Sequence, residues 1–130
     1  MYPDDITTLD ITGRGTTAGT GEETLPLTVN LNAPVAAIPV PEGQIMMIPT
    51  WIICAPPAGT IFKIQQSNDN GVSWFDKAIG RVQGGKASKV FNFKTPIKVK
   101  GSATTLVRQR VQTPPSPGPV DVTWGAMSQP

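Results

Sequence analysis

"FKIQQSNDNGVSWFDKA", residues 62–78, reads as two strands joined by a tight turn. Ahead of the turn, Ile61 and Lys63 alternate with Phe62 and Ile64, the period-two pattern of a strand with one buried face. Behind it, "VSWFDKAIGRV" follows at once as a second strand. The octet between them runs Ser67-Asn68-Asp69-Asn70-Gly71-Val72-Ser73-Trp74. A carboxylate at Asp69 is placed to accept hydrogen bonds from backbone amides that a tight loop leaves orphaned. Gly71 supplies a positive φ at little steric cost. Trp74 brings a large apolar face down onto the sheet. Ser67, Asp69, Gly71 and Trp74 are therefore expected to build a structural turn and not a reaction centre.

The same alternation continues outward. "QIMMIPTWIIC" reads as a buried strand that Pro49 interrupts, which predicts an edge or a bulge there. "KVFNFKTPIKVK" sets Val90, Asn92 and Lys94 against Phe91 and Phe93. "TTLVRQRVQ" sets Leu106, Arg108 and Arg110 against Val107, Gln109 and Val111, and "TPPSPGP" leads to the closing strand "VDVTWGA". With 13 Gly and 14 Pro and no helical stripe, the 130 residues predict an all-β chain. Seven or eight short strands with regular turn signals suggest an antiparallel β-sandwich, jelly-roll or immunoglobulin-like.

Residues 44–126 form the expected body and 127–130 a short polar tail. Residues 1–43 differ in composition, being rich in Thr, Gly and Pro, with a flexible break at 13–21 and an extended Pro-containing run at 33–41. They are expected to be an extended N-terminal arm with at most one strand, at 25–31. Leu25, Leu27, Val29 and Leu31 alternate strictly there and are expected to be the arm's partner-binding face, donated to a neighbour's sheet. The arm is also acidic. Six carboxylates face Arg14 in residues 1–42, whereas residues 43–130 hold ten Lys/Arg against Asp69, Asp76 and Asp121.

Several chemistries lack their residues. Histidine is absent and Cys54 is the single cysteine, which predicts no internal disulfide and excludes most metal and Ser/His or Cys/His sites. No catalytic residue, cofactor or metal is expected. The opening Met-Tyr-Pro-Asp-Asp predicts no signal peptide, and no apolar run is long enough for a membrane helix. Residues 80–89 carry three glycines and two lysines without the spacing of a phosphate loop. The scattered lysines show no nucleic-acid-binding signature. Among the tryptophans, Trp51 sits in the most apolar strand and Trp74 anchors the turn. Trp124 shares a face with Val120 and Val122 but is the candidate for a glycan contact.

The octet Ser-x-Asp-x-Gly-x-Ser-Trp resembles the Asp-box of sialidases and related β-propellers, with Ser73 at the usual Thr position. That resemblance implies a local hairpin away from any catalytic centre. One copy in 130 residues cannot supply a propeller. In style, residues 44–126 are similar to small β-sandwich proteins of tailed-bacteriophage virions. This second resemblance implies a non-enzymatic capsid decoration or cement protein. Its expected partners are the major capsid protein and copies of itself, as a homotrimer. It would be made in the host cytoplasm and sit on the capsid surface of the virion. Two alternatives stay open, a carbohydrate-binding β-sandwich on a tail or fibre and a neck, tail or baseplate subunit.

Overall fold

Two antiparallel sheets face each other, and each draws strands from both ends of the chain. The structure, a computed structural model, describes residues 7–17, 21–54, 60–81, 88–112 and 118–130. Ten strands follow in order, β1 (Thr7–Thr17), β2 (Glu22–Leu25), β3 (Leu27–Val29), β4 (Ile38–Pro39), β5 (Ile45–Cys54), β6 (Ile61–Ser67), β7 (Phe75–Arg81), β8 (Lys89–Lys100), β9 (Leu106–Gln112) and β10 (Gly118–Gln129). The first sheet has the order β3-β1-β10-β5-β8. The second has the order β2-β9-β6-β7, with β4 also pairing β9. β2 takes residues 109–112 of β9 and β4 takes residues 106–107, so the two share one edge. All these pairings are antiparallel, and the molecule is an all-β antiparallel sandwich.

The alternations read from the sequence set the core. Phe62 and Ile64 of β6, Val107 and Val111 of β9, and Val120, Val122, Trp124 and Ala126 of β10 all point inward. Met46, Ile48, Trp51 and Ile53 of β5 join them. The change of parity between Ile48 and Trp51 falls at Pro49, where the β5–β8 register shifts. A missing backbone donor is tolerated at such a bulge in a strand flanked on both sides. Proline thus bends an interior strand here and does not mark an edge.

The arm expected over residues 1–43 is, wherever it is described, part of the body. β1 pairs with β10 along its whole length, from Thr7↔Ser128 to Thr17↔Gly118. Ile11, Leu25, Leu27, Ile38 and Val40 belong to the core. The break expected at 13–21 is strand as far as Thr17, and residues 1–6 and 18–20 lie outside the described residues. Gly13 faces inward, where a Cβ would lie 2.9 Å from Leu27 Cδ2 and 3.1 Å from Val122 Cγ2. A glycine there is a close-approach site and not a hinge.

The single strand expected at 25–31 is likewise divided. It crosses between sheets at Pro26, with Leu25 pairing into the second sheet and Leu27 into the first. It ends in a turn at Asn30 and Leu31, both with positive φ. The tail expected at 127–130 is also strand, since Met127, Ser128 and Gln129 pair with Met47, Met46 and Ile45.

Candidate functional site

The turn at residues 67–74 is built as its composition dictates. Ser67 Oγ donates to Asp69 Oδ1 at 2.7 Å, and Gly71 N donates to Ser67 Oγ at 2.9 Å. Ser73 donates to the Asp69 carboxylate twice, from its amide to Oδ1 at 2.8 Å and from its hydroxyl to Oδ2. These bonds, led by the Ser73 hydroxyl and then its amide, hold the Asp69 carboxyl at about 2, below its ordinary 3.8. Asn70 and Gly71 adopt φ of 59° and 90°. Trp74 Nε1 donates to the Gly71 carbonyl at 3.1 Å.

The loop before β9 is a partner that the sequence did not announce. Asn70 N donates to Thr104 O at 2.9 Å, and Thr104 Oγ1 donates to Asn68 O at 2.8 Å. Both carboxylate oxygens of Asp69 accept hydrogen bonds from within the turn.

Outside the turn, the second sheet covers its outer face with its own charges. Glu22 on β2 meets Lys63 at 3.2 Å and Arg110 at 3.6 Å. Arg110 also donates to Thr24 Oγ1 at 2.8 Å. Arg108 donates to Gln65 Oε1 at 3.0 Å, and Gln65 donates to Asp76 Oδ1 at 2.9 Å. The Arg108 guanidinium lies 3.9 Å over the Trp74 ring, and partial burial lowers its pKa, with neighbouring Arg110 adding to the effect. That leaves the ring face over which it lies unavailable to a ligand.

The expected glycan contact and partner-binding residues fall elsewhere than anticipated. Trp124 is fully buried, and its Nε1 donates to Gln109 Oε1 across the sandwich at 2.9 Å. It cannot touch a sugar, because inward parity on β10 places it in the core. Leu25 and Leu27 are buried in their own core and Val29 packs against it, so none forms a face for a neighbour. Of the four, only Leu31 is exposed, at 88%.

The outer face of the five-stranded sheet is different in kind. Cross-strand register places residues in transverse rows. One row runs Thr28–Thr12–Thr123–Ile52–Val90 across all five strands. The next runs Asp10–Gly125–Thr50–Asn92, with Thr50 Oγ1 donating to Asn92 Oδ1 at 3.3 Å. A third runs Thr8–Met127–Met47–Lys98 and a fourth Arg14–Asp121–Cys54. The middle of this face, Met47, Met127, Thr50, Gly125, Ile52 and Val90, carries no charge. Asp10, Arg14, Asp121 and Lys98 stand around it. At the β3–β1–β10 corner lies a shallow depression of about 480 Å³, bordered by Leu31 and by the Arg14–Asp121 ion pair at 3.2 Å.

Sequence alternation placed Val90 and Asn92 on this outward face. It could not align them with Thr123 or Thr12, because strand order is not written in any one strand.

No protein-family model matches the sequence, and no curated protein matches it. A solved structure of the family 32 carbohydrate-binding module from C. perfringens NanJ, in complex with galactose, is similar with a TM-score of 0.38 at 14% identity. The match covers 93% of this chain and 94% of that one. A likeness this distant decides nothing about ligand or partner, and the sandwich is read from its own strand pairing.

Proposed function

We propose that the chain is a non-catalytic structural protein of a virion, a capsid decoration or cement protein that adheres through the outer face of its five-stranded sheet. The observation that supports this is the uncharged patch of Met47, Met127, Thr50, Gly125, Ile52 and Val90 with charged residues at its border. Depletion of charge in the centre, presence of Met and a polar rim are the composition of a protein contact. On the second sheet, Glu22, Lys63 and Arg110 are tied to one another, and its exposed apolar side chains, Phe75 and Ile79, stand on the edge strand β7.

Three strand spacings by three rows give on the order of 300 Å². That is the size at which an exposed patch tends to be functional, yet under half of the roughly 800 Å² per partner of a standard interface. A single contact of this kind is weak, and many copies engaged together on a particle compensate by avidity. The adhesion belongs to the sheet face, because Leu25, Leu27, Ile38 and Val40 of the expected arm are buried in the sandwich's own core.

The test charges the patch without touching the core. Ile52→Glu is expected to stay folded and to lose co-sedimentation with the capsids it is produced with. Ile79→Glu, at a half-exposed position on the other sheet, is expected to retain it. Undiminished binding by Ile52→Glu, or a chain that associates with no particle, would overturn this reading.

A further inference from the structure

We propose that the depression at the β3–β1–β10 corner binds a neutral saccharide, at a site separate from the uncharged patch beside it. Its floor is the row Thr28–Thr12–Thr123, three hydroxyls directly opposite one another on adjacent strands. Two strand spacings make this row about 10 Å long. None of the three hydroxyls bonds another group among the described residues, although each is only half-exposed. Arg14 directs both Nε and Nη2 to Asp121 Oδ2, at 3.3 and 3.2 Å, which leaves Oδ1 open to a donor.

The charges of that pair cancel. An anion would meet Asp121 and a cation would meet Arg14, so a neutral ligand rich in hydroxyls suits the array better than either. The volume of about 480 Å³ falls within the range of small-ligand sites, roughly 300–1,000 Å³.

Leu31 is the second, independent observation. It stands at the rim 88% exposed, in a left-handed conformation with φ of 64°. A bulky side chain is disfavoured in that region, where glycine or asparagine is the local optimum. The turn is nevertheless fixed in place, by Asn30 N donating to Asp10 O at 2.8 Å, Asp10 N to Asn30 Oδ1 at 2.8 Å and Asn32 N to Val29 O at 3.0 Å. Local strain combined with an exposed apolar side chain is the pattern of a residue held for contact. A sugar ring has both surfaces the corner requires, a C–H face for Leu31 and a hydroxyl edge for the threonines, Arg14 and Asp121.

The isotope-labelled full chain, titrated with neutral methyl hexopyranosides, neutral oligosaccharides and a neutral bacterial polysaccharide, tests this by amide chemical shifts. At least one of these probes is expected to shift Thr12, Thr28, Asp121 and Thr123. Response to the small glycosides would assign a single sugar ring as sufficient, and response to the polymer alone would assign a surface polysaccharide. Leu31→Gly is expected to raise Tm by relieving strain while abolishing the shifts. Asp121→Asn is expected to weaken them with the fold intact. Absence of shifts at this corner with every probe, shifts centred on Trp74 instead, or undiminished shifts in Leu31→Gly would overturn the assignment.

Discussion

Replacing Gln109 by Met should break the one side-chain hydrogen bond that joins the two sheet interiors among the described residues. Gln109 is fully buried on β9, flanked on its face by Val107 and Val111. Its Oε1 accepts from Trp124 Nε1 of the opposite sheet at 2.9 Å, and its Nε2 donates to the Lys63 carbonyl at 3.1 Å. Methionine keeps the length but strands the indole N–H, and each stranded buried group costs about 1–3 kcal/mol. Trp124→Phe strands Gln109 Oε1 instead and also removes ring volume, so about 2–4 kcal/mol is expected. With a urea m-value of about 1.5 kcal/mol/M, a loss of about 2 kcal/mol lowers the unfolding midpoint by about 1.3 M. Both variants should remain folded, because a domain of this size holds about 5–15 kcal/mol.

The decisive measurement is the double-mutant cycle. The two losses should fall short of additivity by about 1–3 kcal/mol, since the second substitution removes a group already left without its partner. Trp51→Phe is the control, because Trp51 is equally buried but its Nε1 has no partner among the described residues. It should cost less than Trp124→Phe. Additivity within about 0.5 kcal/mol would refute the bond as an energetic link between the sheets.

Two further predictions rest on local geometry. At Gly101 a Cβ would sit 1.8 Å from the Pro41 carbonyl oxygen, beside the Gly101 N to Gln44 O bond of 2.7 Å, so the backbone must move. Gly101→Ala should destabilise by about 2–4 kcal/mol, and an unchanged Tm would refute the close approach. Asp69 has a depressed folded-state pKa, so its stabilising effect is complete above about 3.8 and is lost as pH falls through about 2. Acid unfolding of the wild type and of Asp69→Asn should therefore converge across that window, and parallel profiles would contradict it.

The alternating strands and the turn at 67–74 were legible from residues alone, because each is a local device, and Pro49 announced an edge or a bulge without deciding between them. Period-two patterning assigns a face wherever inward positions hold large apolar groups, as in β6, β9 and β10. It failed over residues 7–40 because β1 places Gly13 at an inward position, which reads as flexibility until Leu25 and Leu27 are seen packed against it. Residues 25–31 likewise read as one alternating strand, whereas in space Pro26 is the point at which that strand changes sheets. Trp124 and Gln109 each carry a polar atom in an inward register, and only the opposite sheet shows that they satisfy one another.

Sequence therefore determined which residues turn inward along most strands, since side-chain direction is a property of the neighbouring residues in one strand. Strand order decided everything on the outer faces. The threonine row, the uncharged patch and the corner beside Leu31 join residues up to 111 positions apart, and non-local pairing alone brings them together.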